Sequence, residues 1–106
     1  MDDKIIDAAA RALLDAAPAG SRVILFGSYA KGTARPDSDL DFLVIEPAVE
    51  DRFGEMFRLR EAVNPVFGDD VQPVDVVVTD EEHFRRSEHT PNTLVFEAAS
   101  QGRVYE

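Results

Sequence analysis

The chain has 106 residues and sets 11 Lys and Arg against 21 Asp and Glu, a formal charge of −10. That length suits one domain, 1–106, well above the roughly 40-residue floor where covalent staples become necessary, and a 44% hydrophobic content argues against global disorder. No apolar run approaches the roughly 18 residues that span a bilayer, so no membrane segment is expected. The absence of cysteine excludes disulfides, thiolate catalysis and cysteine-ligated zinc. The acidic start Met1-Asp2-Asp3-Lys4 lacks the layout of a signal peptide. A cytoplasmic protein is expected, and one this negative should not bind nucleic acid directly.

In chain order, Ile5, Ala9, Leu13 and Ala16 recur at helical spacing and predict a first helix, ended by Pro18-Ala19-Gly20-Ser21. The apolar run Val23-Ile24-Leu25-Phe26 predicts a strand buried on both faces. Gly27-Ser28 breaks it, with Ser28 expected to cap a short helix that Gly32 stops. After a loop holding Pro36, Leu40–Ile45 reads as a second strand closed by Pro47. Phe53, Met56, Phe57 and Val63 mark the apolar face of a helix that ends near Asn64-Pro65. Gly68-Asp69-Asp70 is a turn, and Val74–Val78 a third buried strand. Thr79 with Glu82 three residues on makes a capping box for another helix. Thr90-Pro91 reads as the start of the last helix, with Leu94, Val95, Ala98 and Ala99 as its buried stripe and Gly102 at its end. Arg103-Val104-Tyr105 completes the chain as an edge strand. The fold class is α/β (α+β), a small mixed sheet flanked by helices.

Three acidic residues sit where an apolar strand is expected. Asp39 and Asp41 are two apart and share a face by the strand period, and Asp75 interrupts the valine strand. A lone ionised carboxylate in a buried strand costs several kcal/mol, so three together call for a partner or a divalent cation. Hard oxygen ligands suit Mg²⁺, which keeps waters and shares its coordination with substrate phosphates. An Asp-x-Asp pair alone also fits solvated strand ends; Phe26-Gly27-Ser28, a strand followed by a tight turn, changes the weighting. Glycine lets the backbone approach an anion, and the Ser28 hydroxyl adds a donor. Lys31 and Arg35 lie in the same loop region and can reach phosphate or a partner, or stand as solvated charges. Tyr29 reads as packing. His83 and His89 lack the i, i+4 spacing of a zinc pair and read as surface residues, as does Arg85-Arg86.

The stretch from Gly27-Ser28 through ten intervening residues to Asp39-Leu40-Asp41, followed by Phe42-Leu43-Val44, resembles the signature of the DNA polymerase β-like nucleotidyltransferase superfamily. Its compact form is similar to the minimal nucleotidyltransferases, the antitoxin halves of HEPN/MNT toxin–antitoxin pairs. In that family a third aspartate follows on a later strand, and Asp75 fits it. The resemblance implies a nucleotidyltransferase fold and an enzyme that moves a nucleoside monophosphate, from ATP, to an acceptor hydroxyl. It further implies two Mg²⁺ ions, about 3.5–4 Å apart, held by Asp39, Asp41 and Asp75. Gly27 and Ser28 would cradle the phosphates, with Lys31 and Arg35 as further phosphate-binding candidates.

With the fold nearly complete by the last residue, the acceptor is expected to be supplied by another molecule. The resemblance makes it a tyrosine of a cognate HEPN ribonuclease toxin, neutralised by AMP. Two alternatives stay open: an antitoxin that masks its toxin stoichiometrically without catalysis, and a small-molecule nucleotidyltransferase of the aminoglycoside-modifying sort.

Overall fold

The structure is a computed structural model that describes residues 2–70 and 72–106. Helix α1 (Asp3–Ala16) leads into β1 (Arg22–Phe26), the short α2 (Ser28–Lys31), β2 (Leu40–Glu46) and α3 (Arg52–Val63). A 3₁₀ turn, Asn64–Phe67, precedes β3 (Val74–Asp80), α4 (Glu81–Ser87), α5 (Leu94–Gln101) and β4 (Arg103–Tyr105). The four strands form one sheet in the order β3-β2-β1-β4. Strand β1 runs antiparallel to both β2 and β4, whereas β2 and β3, joined through α3, are parallel. This is the expected mixed sheet flanked by helices.

Alternation along the strands feeds two separate cores. Val23 and Leu25 of β1 join Leu40, Phe42 and Val44 of β2 beneath α1 and α3, where Ile6, Leu13, Leu59 and Val63 meet them. Ile24, Phe26, Leu43 and Ile45 point the other way, against Phe84 of α4 and Val95 and Ala98 of α5. A central sheet buried on both faces explains the near-continuous apolar runs. Phe42 and Leu13 are wholly buried, and truncating either to alanine would cost on the order of 3 kcal/mol or more.

The helices exist where the sequence predicts them, but several details differ. In α1 the buried residues are Ile6, Ala9, Ala10 and Leu13, while Ile5 is 37% exposed. The inward stripe is therefore one residue out of step at its start. In α3 the core takes Leu59 and Val63, leaving Phe53 and Phe57 exposed at 75% and 67%. Helical spacing located α3 correctly; the register in which Leu59 and Val63 meet the sheet turned the phenylalanines outward. Strand β3 is an edge strand, so Val77 is only partly buried. Thr79 belongs to β3 and is buried, and Asp80 caps α4 by accepting the His83 N–H. Thr93, not Thr90, caps α5, accepting from the Phe96 N–H. Leu94 and Ala99 lie on the outer side of α5. The C-cap of α5 is glycine, as expected, and a Cβ there would lie 2.3 Å from Ile24 Cγ2 and 2.4 Å from the Ala98 carbonyl oxygen.

At the end of β2 away from Asp41, Glu46 is only 2% exposed, and its Oε2 has no hydrogen-bond partner among the described residues. Burial, reinforced by the neighbouring Glu55, pushes its carboxyl up to about 8. Glu55 is drawn down to about 2, chiefly by Arg58, which grips it with bonds of 2.6 and 2.9 Å. Glu46 thus keeps its proton in the folded chain between its ordinary value near 4.5 and about 8, whereas the unfolded chain releases it. Folding then binds protons over that window, so this group's contribution to stability falls as pH rises through it. Urea midpoints measured from pH 5 to 9 should decline for the parent protein, and Glu46→Gln should flatten that decline. An unchanged slope in the variant would contradict the assignment.

Candidate active site

One end of the sheet is rich in carboxylates, and the strand register says why. Asp41, the second residue of β2, stands opposite Phe26 on β1 and opposite Asp75 on β3. Asp41 shares the strand parity of Leu43 and Ile45, so it lies on the side of the sheet that α5 covers. Asp39 precedes the strand by one residue and follows the same period.

Next to Asp41 the chain leaves β1 through Gly27, which has φ 76° and ψ −157°. This is a conformation that L side chains rarely adopt, and a Cβ at Gly27 would lie 2.3 Å from Asp41 Oδ2. The glycine therefore allows two things at once: the turn out of β1 and the close approach of a carboxylate to the backbone. Gly27 itself is the N-cap residue of α2 and Ser28 its first helical residue, which corrects the expectation that Ser28 caps the helix. Gly32 closes α2 in the left-handed conformation, as predicted. Tyr29 packs against the core, also as predicted.

The three aspartates differ more than the sequence suggests. Asp39 is exposed, and the Asp75 side chain is 52% exposed with Arg60 Nη2 3.7 Å from Oδ1. Only Asp41 is half-buried, so only it carries the desolvation cost expected of all three. Burial, then Asp75, Asp39 and Glu97 in that order, push its carboxyl up to about 6. Asp41 has no hydrogen-bond or ion-pair partner among the described residues, so nothing offsets that pressure. Among the described residues no group of three or more His, Asp or Glu side chains is drawn together closely enough to hold a metal ion.

Of the two basic candidates, Lys31 is engaged: its Nζ lies 2.8 Å from Glu97 Oε1 on α5. Arg35 uses its backbone, its N–H donating to Ser38 Oγ at 2.8 Å and its carbonyl accepting from the Ser38 N–H at 2.9 Å. These bonds shape the turn before Asp39. The Arg35 side chain is exposed and has no ion pair among the described residues. Glu97 and Arg60 are the two neighbours of the aspartates that sequence reasoning missed. Neither belongs to a motif. His83 and His89 are exposed and remote in role from this end of the sheet.

No helix among the described residues is long and apolar enough to cross a membrane. No curated protein sequence matches the chain. Among solved structures, a crystal structure of a toxin–antitoxin with AMP-PNP aligns over 98% of this chain and 72% of its own, with TM-score 0.57 and 24% identity. A mutant of the toxin–antitoxin MntA-HpeT aligns over the same shares, with TM-score 0.56 and 23% identity. At such identities the likeness is one of fold. The sequence profile described as nucleotidyltransferase domain matches residues 6–100, nearly the full length. With the glycine–serine turn and the Asp-x-Asp strand set side by side in the sheet, the chain belongs to the nucleotidyltransferase domain family.

Proposed function

We propose that this protein is an antitoxin that transfers AMP from ATP to a hydroxyl, a tyrosine's in our reading, of a cognate HEPN ribonuclease toxin. The observation that carries the reading is Asp41. It is a half-buried carboxylate with no donor among the described residues, pressed by Asp75 and Asp39 and set against the Gly27 turn. Such a group is relieved by a divalent cation, and the available donors are all hard oxygens. Mg²⁺ rarely relies on a closed protein cage, because it retains waters and shares phosphate oxygens, so an open set of carboxylates fits it. Asp39, Asp41 and Asp75 are the residues we assign to hold it. When bound, it would neutralise the triphosphate and the leaving pyrophosphate.

Gly27 and Ser28 are assigned to the β- and γ-phosphates through backbone N–H groups and the Ser28 hydroxyl. The acceptor oxygen forms a bond to the α-phosphorus, and the bond from that phosphorus to the bridging oxygen breaks. Pyrophosphate leaves with the electron pair. The hydroxyl proton passes to Asp75 or to water. Positioning and charge neutralisation supply most of the rate, as in phosphoryl transfer generally.

A protein acceptor is favoured by the surface next to Asp75. Arg60, which reaches Asp75, continues along α3 to Phe57 and Phe53, one and two turns away. Two phenylalanines at 67% and 75% exposure serve no core, and they extend along α3 from Arg60 toward the Glu46 end of the sheet. We assign this stripe to the toxin. A net charge of −10 also disfavours an RNA acceptor. AMP added near a ribonuclease site would bring negative charge that repels RNA.

Three outcomes test this. Asp41→Asn should abolish transfer and Mg²⁺-dependent ATP binding, while raising the thermal midpoint because a desolvated, repelled charge is gone; Asp39→Asn should abolish transfer with little change in stability. Wild-type transfer rates in either variant would refute the assignment. Incubation of the cognate toxin with substoichiometric protein, ATP and Mg²⁺ should raise the toxin's mass by one or more AMP units; neutralisation that needs one copy per toxin, with no mass gain, would instead establish masking. The double variant F53S/F57S should fold and bind ATP normally yet modify toxin at least tenfold more slowly, read from the rate of mass gain. An unaffected rate would remove the stripe from the interface.

A further inference from the structure

Four carboxylates act around the head of β2, and two cations attend them from outside. Arg60 attends Asp75, and Lys31 attends Glu97. The second pair is the unusual one. It joins α2, which starts at the Gly27 turn, to the first turn of α5, 66 residues further along the chain. Glu97 is also close enough to Asp41 to bear on its charge. The Lys31–Glu97 bridge therefore ties the helix that follows the Gly27 turn to α5, on the face of the sheet that Asp41 shares. Beside it lies a cleft of about 400 Å³ lined by Lys31, Thr93, Phe96, Glu97 and Ser100, which gives the lysine head room to move.

The energetics of the bridge are those of a replaceable contact. Its side chains are 40% and 38% exposed, and an ion pair that open to water contributes at most about 1 kcal/mol. A terminal phosphate presents more charge and more acceptor oxygens than one exposed carboxylate, so it competes well for the same ammonium. Lys31 is the last residue of α2, one turn from Ser28, and its flexible stem can swing toward a group held at that turn. For Lys31 to do so, the bond to Glu97 must break. Glu97, in turn, adds negative charge on the side from which a triphosphate approaches.

We propose that Glu97 sets nucleotide affinity through Lys31, as an internal competitor for its ammonium: it engages the lysine in the free protein and must yield it to the terminal phosphates of ATP when the nucleotide binds. This rests on the nucleotidyltransferase reading and extends it. The cost of the exchange is the broken bridge, and the return is a charge-assisted contact to the β- or γ-phosphate. AMP, which lacks both, should not trigger it.

Calorimetric titration of the full chain with ATP and with AMP, in the presence of MgCl₂, separates the possibilities. Lys31→Gln should weaken ATP roughly tenfold. Glu97→Gln should tighten ATP about three- to fivefold, the equivalent of removing an exposed pair. Neither substitution should change AMP binding by more than a factor of about 2, within the scatter of surface effects. In the double variant K31Q/E97Q the gain from losing Glu97 should vanish, because the residue it acts through is gone. The proposal is overturned if Glu97→Gln leaves ATP affinity unchanged, tightens AMP equally, or tightens ATP as much without Lys31 as with it; the last result would reduce Glu97 to long-range repulsion. If the unsubstituted chain binds no ATP, the functional reading itself fails and takes this proposal with it, whereas normal ATP binding with an inert E97Q defeats this proposal alone.

Discussion

The site depends on one register. Strand β2 pairs with β1 on one side and β3 on the other, so that Phe26, Asp41 and Asp75 fall on one line across the sheet. A one-residue slip of either pairing would turn Asp41 into the α1/α3 core and put an apolar residue in the site. The apolar alternation of Leu40, Phe42 and Val44 against Leu43 and Ile45 prevents that slip, because both faces of β2 are buried. The hydrophobic cores thus serve the chemistry indirectly. They hold a carboxylate where it would not choose to be.

Gly27 completes this constraint. With φ at 76° and no side chain, it lets β1 end and the chain turn away while Asp41 approaches the backbone closely. A turn built from any other residue would push the carboxylate aside or distort the strand end. Glycine turn and acidic strand are therefore not two motifs that happen to be neighbours. They are two sides of one steric arrangement, which is why a fixed spacing in sequence can announce it.

That explains what the sequence discloses and what it hides. The Gly27-Ser28 turn, the Asp39–Asp41 pair and Asp75 are readable because their roles are local: a strand end, a period of two, a charge inside an apolar run. The helices are readable from their spacing and the strands from their apolar runs, whereas the mixed sheet comes with the family resemblance, because apolar spacing does not say which strands run parallel. Which face of a helix turns inward is a matter of tertiary packing, and there the reading slips, as with Phe53 and Phe57 on α3 and Ile5 on α1. The caps shift for a similar reason. Thr79 looks like an N-cap, yet β3 pairs with β2 as far as Glu46 and Asp80, which draws Thr79 into the sheet and leaves the cap to Asp80. Glu97 and Arg60 are invisible in advance because they reach the site from helices remote in sequence, and exposed charged residues on helices are ordinary.

Strand β2 carries an acidic residue near each end, and the contrast between them clarifies the site. Glu46 and Asp41 both sit where burial raises the cost of ionisation. At the Glu46 end the fold supplies its own answer: Glu55 stands close enough to share a proton, and Arg58 neutralises what charge remains. That end is electrostatically closed. At the Asp41 end every nearby group that acts on the carboxyl is another carboxylate, and the two basic side chains in the vicinity are spent on Asp75 and Glu97. A chain able to settle a buried acid with arginine and a shared proton at one end of a strand has left the other end unsettled. The imbalance is met by a proton below about pH 6, or from outside by cations. In the proposed function, cations held there would make the same end attractive to a triphosphate, and the electrostatic frustration at Asp41 is what stability gives up so that binding can draw on it.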